Sequence, residues 1–151
     1  EISLNRLADF RLKRIGFIFQ SYNLINTLTA LENTEYVMLL QGIDAKTRRE
    51  KAIDILNKVG LGAFLHRRPN QMSGGQQQRV AVARAIVSEP CVILADEPTA
   101  NLDSATASSL LDLMRVLNKE KGACFVISTH DKMVMEKSDK VFQLKDGRIV
   151  N

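Results

Sequence analysis

No Gly-x-x-x-x-Gly-Lys-Ser/Thr phosphate loop occurs anywhere between Glu1 and Asn151, so the plainest sequence sign of a triphosphate site is missing. No apolar run approaches the length of a membrane span, so no stretch reads as a transmembrane helix. The first residues mix charges with isolated leucines and do not resemble a signal peptide. There is no starting Met either, and the chain reads as a piece of something longer. Internal repeats and low-complexity linkers are absent. Cysteine is scarce, with 2 residues, too few for a disulfide framework. Cys91 and Cys124 each start an apolar run, which predicts two buried strand residues and suits a reducing cytoplasm.

What is present suits one globular domain. The chain has 151 residues, 45% apolar and 25% charged, enough for a real core. Its formal charge is +4, but the longest basic groups, Arg11 to Arg14 and Arg48-Arg49, are short. Scattered solvated cations are the reading, and no nucleic-acid partner is expected.

Leu4 to Lys13 carries Leu4, Leu7, Ala8 and Leu12 at helical spacing. Ile15 to Phe19 is a β-branched and aromatic run that reads as a strand ending at Gln20. Thr29-Ala30-Leu31-Glu32 is a capping box opening a helix that should stop near Gly42. Asp44 caps a second helix, with Ala52, Ile53, Leu56 and Val59 inward and Gly60 near its end. Ser73 caps a third, which must finish before Pro90. Cys91 to Ala95 has no polar residue, which predicts a strand covered on both faces. Asp103 then caps a helix burying Ala107, Leu110, Leu111, Met114 and Leu117, closed by Gly122. Ala123 to Ser128 reads as a second buried strand, and Lys145-Asp146-Gly147 as a hairpin turn. The fold class expected is α/β: a parallel sheet, built from residues 1–20 and 89–151, interrupted by a helical subdomain over 21–88.

Two motifs carry chemistry. Asp96-Glu97 ends the strand beginning at Cys91, where ligands sit in parallel sheets. Two acids there are costly to desolvate unless a cation meets them. Magnesium with a nucleotide is the natural partner: Asp96 would hold the ion, and Glu97 would position or deprotonate an attacking water. The second motif is Ser73-Gly74-Gly75-Gln76. Ser-x-x-Gln is itself a capping box, but capping does not call for two adjacent glycines. Bare amides at a helix N-terminus suit a phosphate. His130 and Gln20 each follow a strand and can reach the same rim, His130 to touch a phosphate or orient Glu97, Gln20 to ligate magnesium or the water.

With these residues in place, the chain resembles the ATP-binding-cassette family from end to end, with a P-loop-NTPase-like sheet that is only partial. Gln20 matches the family's Q-loop glutamine. Met72 to Gln76 matches the signature motif, with Met72 where Leu is usual. Cys91 to Asp96 matches the Walker B strand, Glu97 the catalytic glutamate, Ala100 to Asp103 the D-loop and His130 the switch histidine. Gly16 to Ile25 and Leu28 to Asn33 are similar to cassettes serving lipoprotein-release and macrolide-export permeases.

The resemblance implies an ATPase with ATP and Mg²⁺ as cofactors, working as two cassettes head to tail. Ser73, Gly74, Gly75 and Gln76 would bind the partner's γ-phosphate, with Asp103 in the D-loop beside them. Gln20, Asp96, Glu97 and His130 would serve the chain's own nucleotide. A second cassette, as a homodimer, and an integral membrane permease are the partners implied, on the cytoplasmic face of the membrane. The family's phosphate loop and first strands, which precede Gln20, have no counterpart here. These residues alone are therefore expected to bind ATP weakly and to leave apolar sheet surface uncovered. A soluble cassette ATPase and a catalytically dead interaction module are the competing functions. The compact stretch between Gln20 and Ser73 favours a transporter, and intact Glu97 and His130 argue against the dead module.

Overall fold

The computed structural model describes residues 4–150. Helix α1 (Leu4–Arg14) leads directly into β1 (Ile15–Ile18). Three helices follow: α2 (Ala30–Leu40), α3 (Ala45–Lys58) and α4 (Gly74–Ile86), with two short 3-10 turns between the last two. The chain then alternates β2 (Val92–Asp96), α5 (Ser104–Lys121), β3 (Cys124–Ser128) and α6 (Lys132–Glu136). It closes on the hairpin β4 (Leu144–Lys145) and β5 (Arg148–Ile149), turned at Asp146 and Gly147, both with positive φ. Strands β1, β2 and β3 form one parallel sheet with β2 central.

Local chemistry sets the helix ends. Thr29 and Glu32 form a reciprocal capping box at α2, and Ser73 and Gln76 do the same at α4. Asp44 and Asp103 cap α3 and α5. Gly122 ends α5 at φ 69°, a left-handed conformation that suits glycine. Buried Asn33 braces the loop before α2, donating to the carbonyls of Ile25 and Leu28 and accepting from the Ile25 amide.

The sheet is covered on one face only. Gly16, Ile18, Ile93 and Ala95 face the core, with half-buried Phe125 and Ile127 beside them. A β-carbon at Gly16 would overlap the Ala85 carbonyl of α4, so glycine is what lets that helix lie flat on β1. The opposite face presents Phe17, Leu94 and Val126, exposed at 37%, 38% and 52%. This corrects the expectation that β2 and β3 are buried on both sides. An all-apolar run hides which alternate residues are covered, because both sets are equally apolar. The uncovered apolar surface anticipated on the sheet is present.

Three smaller expectations also change. Cys91 and Cys124 are both exposed free thiols: Cys91 precedes its strand, and Cys124 opens the edge strand β3. Strand β1 ends at Ile18, before Gln20. In α3 the inward isoleucine is Ile55, whereas Ile53 is only half-buried. The amphipathic first segment is helical, but residues 6–11 are all exposed and Leu12 is half-buried. The Leu4 side chain lies outside the described residues.

Candidate functional site

Register brings the acids and their partners together. Asp96 ends β2 opposite Ser128 on β3, and paired residues of parallel strands point to the same side. The Ser128 hydroxyl donates to the Asp96 carboxylate at 2.5 Å. One residue on, the Glu97 amide donates to the Ser128 carbonyl at 3.0 Å. Glu97 itself has φ 42°, a left-handed conformation rare for a residue with a side chain and costing about 1–3 kcal/mol. The turn swings its carboxylate back toward the chain leaving β3. There it accepts from the Thr129 hydroxyl at 3.2 Å and meets His130 Nδ1 at 2.5 Å. Glu97 is mostly buried and His130 mostly exposed, at 22% and 87% side-chain exposure. The carboxylate is therefore held from the protein side while the imidazole remains open to solvent. Facing an ionised carboxylate, Nδ1 would be the donor of this pair.

Gln20 follows β1 on the same side of the sheet, but it is tied down by its backbone. The Asn101 side chain donates from Nδ2 to the Gln20 carbonyl at 3.0 Å. Tyr22 and Asn23 follow with φ 61° and 48°, and Arg84 of α4 donates to both their carbonyls, at 2.8 and 2.5 Å. Burial pulls the Arg84 pKa below its usual value. The segment carrying Gln20 is thus strapped to α4 and to the loop after Glu97.

The start of α4 is built differently. The Ser73 hydroxyl accepts from the Gln76 amide, and the Gln76 side chain accepts from the Ser73 amide. Gln76 is thereby committed to the cap. The amides of Gly74 and Gly75 have no hydrogen-bond partner among the described residues. Both glycines are also tightly packed. A β-carbon at Gly74 would sit 2.8 Å from the Tyr22 hydroxyl, and one at Gly75 would sit 2.6 Å from the Thr106 methyl. Asp103 accepts from both the hydroxyl and the amide of Thr106. Those two bonds, the hydroxyl's first, hold its carboxyl below the usual range. Asp103 therefore shapes the wall beside Gly75.

The structure brings Asp96, Glu97 and His130 into one cluster. Gln20 and Asn101 form a second group, and Ser73 to Gln76 with Tyr22 and Thr106 a third. Sequence reading gave no role to Ser128, Thr129, Arg84 or Gln78, which is buried in α4 and bonded to the Pro98 carbonyl, and it placed Asn101 in the D-loop without its bond to Gln20. Ser128 and Thr129 were signalled by two hydroxyls next to His130. Gln78 was signalled by a polar residue on the buried side of α4.

A family model described as ABC transporter matches residues 2–100. Curated relatives of 44–51% identity include the lipoprotein-releasing system ATP-binding protein LolD of Legionella pneumophila (strain Paris). It is 45% identical over 99% of this chain and 66% of its own length. The macrolide export ATP-binding/permease protein MacB of Hyphomonas neptunium is 45% identical over all of this chain and 23% of its own length. The chain therefore spans less than two thirds of either relative. The expected lipoprotein-release and macrolide-export likeness is met. Among solved structures, the ATP-binding cassette MJ0796, dimeric and bound to ADP and Pi, superposes with a TM-score of 0.86. It is 41% identical and covers 100% of this chain and 67% of its own. The α/β cassette fold expected from the sequence is borne out.

Proposed function

The chain belongs to the ABC transporter family, and from that premise we propose that it is part of an ATP-binding subunit coupling Mg-ATP hydrolysis to a membrane permease. The observation that carries this reading is the Glu97–His130 pair beside Asp96, at the carboxyl ends of neighbouring parallel strands. On this reading Glu97 orients the attacking water and accepts its proton, a role worth about 10²–10⁴-fold in rate. His130 fixes the direction of that carboxylate through Nδ1. The contact between Nδ1 and the Glu97 carboxylate supports this orienting role.

The donor set fits magnesium. Among the described residues no group of three or more His, Cys, Asp or Glu is arranged to hold an ion. Magnesium needs no such cage, because it takes one or two protein oxygens, substrate phosphates and waters. Asp96 would hold it, with Gln20 as the second candidate ligand. When bound, the ion supplies charge neutralisation at the phosphate oxygens.

Ser73 would offer its hydroxyl, and Gly74 and Gly75 their amides at the positive end of α4, to the γ-phosphate held by a second cassette. Support comes from the dimeric state of MJ0796. A second reading of the glycine pair rests on packing, since Tyr22 and Thr106 each exclude a side chain there. Both can hold at once. Residues 21–88 would act as the moving helical part, with Gln20 at its hinge. Among the described residues no helix is long and apolar enough to cross a membrane. On this reading the permease is a separate chain or segment, met at the cytoplasmic face.

The test is phosphate release from Mg-ATP by the full-length protein. Magnesium-dependent release is expected and should stop with chelator. No release at any nucleotide concentration would overturn the reading.

A further inference from the structure

Gln78 lies two residues beyond the capping box of α4, in full burial, where the neighbouring inward residues are Val80, Ala81 and Val82. A polar side chain there needs a reason, because an unpaired amide is costly to bury. Its Nε2 donates to the Pro98 carbonyl at 2.7 Å, and its Oε1 has no partner among the described residues. Pro98 immediately follows Glu97, whose backbone is left-handed. Such a conformation persists only where its surroundings over-determine it. The Glu97 amide is held by Ser128, and its carbonyl accepts from the Ala100 amide. The Pro98 carbonyl has only Gln78 among the described residues.

We propose that Gln78 is a positioning residue for Glu97: it ties the glycine-bearing helix to the loop that aims the carboxylate. The proposal rests on the reading of Glu97 as the base. It makes α4 serve two sites at once. Its first residues face the partner's phosphate, and its second turn fixes the chain's own acid. A shift of α4 is then passed to Glu97 through one hydrogen bond.

Gln78→Met keeps the length and the buried volume but removes the donor. In the full-length protein it should lower kcat about tenfold while the Kd for Mg-ATP stays within about twofold. In a Glu97→Gln background the same change should cost nothing further, since the group it positions is already gone. Gln78→Glu supplies a second readout. Its neutral carboxyl can donate to Pro98 and its anion cannot, so its kcat should fall with rising pH relative to the parent. A merely structural role would lower stability without that pH profile. If Gln78→Met does not fold, the pH profile of Gln78→Glu decides. Parental kcat in Gln78→Met, or a parental pH profile in Gln78→Glu, while Glu97→Gln abolishes turnover would overturn this proposal alone. Full turnover in Glu97→Gln would remove the underlying reading and this proposal with it.

Discussion

At the carboxyl ends of β2 and β3 each acid is tied to side chains of the neighbouring strand or the chain leaving it: Asp96 to Ser128, and Glu97 to Thr129 and His130. At the start of α4 the polar side chains turn on each other, and two glycine amides have no partner among the described residues. The first region is aimed by hydrogen bonds within the protein. The second offers only backbone and a helix end, and takes its shape from Tyr22 and Thr106. Preorganised side chains suit bond-making, where small misplacement is costly. Bare amides suit gripping an anion that comes and goes.

Substitutions can break this contrast. The largest effect after Glu97 itself should come from His130→Ala. Losing the group that orients the base should cut kcat about 10²-fold in the full-length protein, with nucleotide affinity unchanged. Steady-state kinetics with calorimetry would read both. Next is Gly74→Ala, which drives a methyl against the Tyr22 hydroxyl. Overpacking of this kind costs about 1–3 kcal/mol, read as a lower urea midpoint. Adding Tyr22→Phe should restore most of it; no recovery would mean that the glycine is needed for something other than that contact. Smaller still is Asp103→Ala, which removes the cap of α5 and should cost about 1 kcal/mol.

The smallest effect is on pH. The carboxyls of Glu32, Asp44 and Asp103 are held below their ordinary values, Glu32 chiefly by the Thr29 amide and the two aspartates by the Thr47 and Thr106 hydroxyls. A lowered folded-state value stabilises above the unfolded pKa and is lost as pH falls through the folded one. The urea midpoint should therefore be flat near neutrality and fall below about pH 4. All three groups are largely solvated, so the drop should be modest.

Local chemistry was legible in the sequence. Thr29, Ser73 and Asp103 cap their helices through their side chains, Gly122 closes α5 because it has none, and the strand ends expected to carry Asp96, Glu97 and His130 do bring those residues together. Covering of the sheet was not legible, since Phe17, Leu94 and Val126 are as apolar as the buried residues between them. The straps were not legible either. Arg84 reaches Asn23 across 61 positions and Asn101 reaches Gln20 across 81. Such bonds run from a side chain to a distant backbone carbonyl, which every residue type presents. Nothing in the local pattern marks the acceptor.

Turnover of the full-length protein after separate Glu97→Gln and Ser73→Arg replacements bears most directly on the idea of a base at the strand ends and a phosphate grip at the helix start. Glu97→Gln should retain Mg-ATP binding and lose about 10²–10⁴-fold in kcat. Ser73→Arg should lose turnover by filling the space before the bare amides. Unchanged turnover in both would contradict the assignment of these residues to ATP hydrolysis.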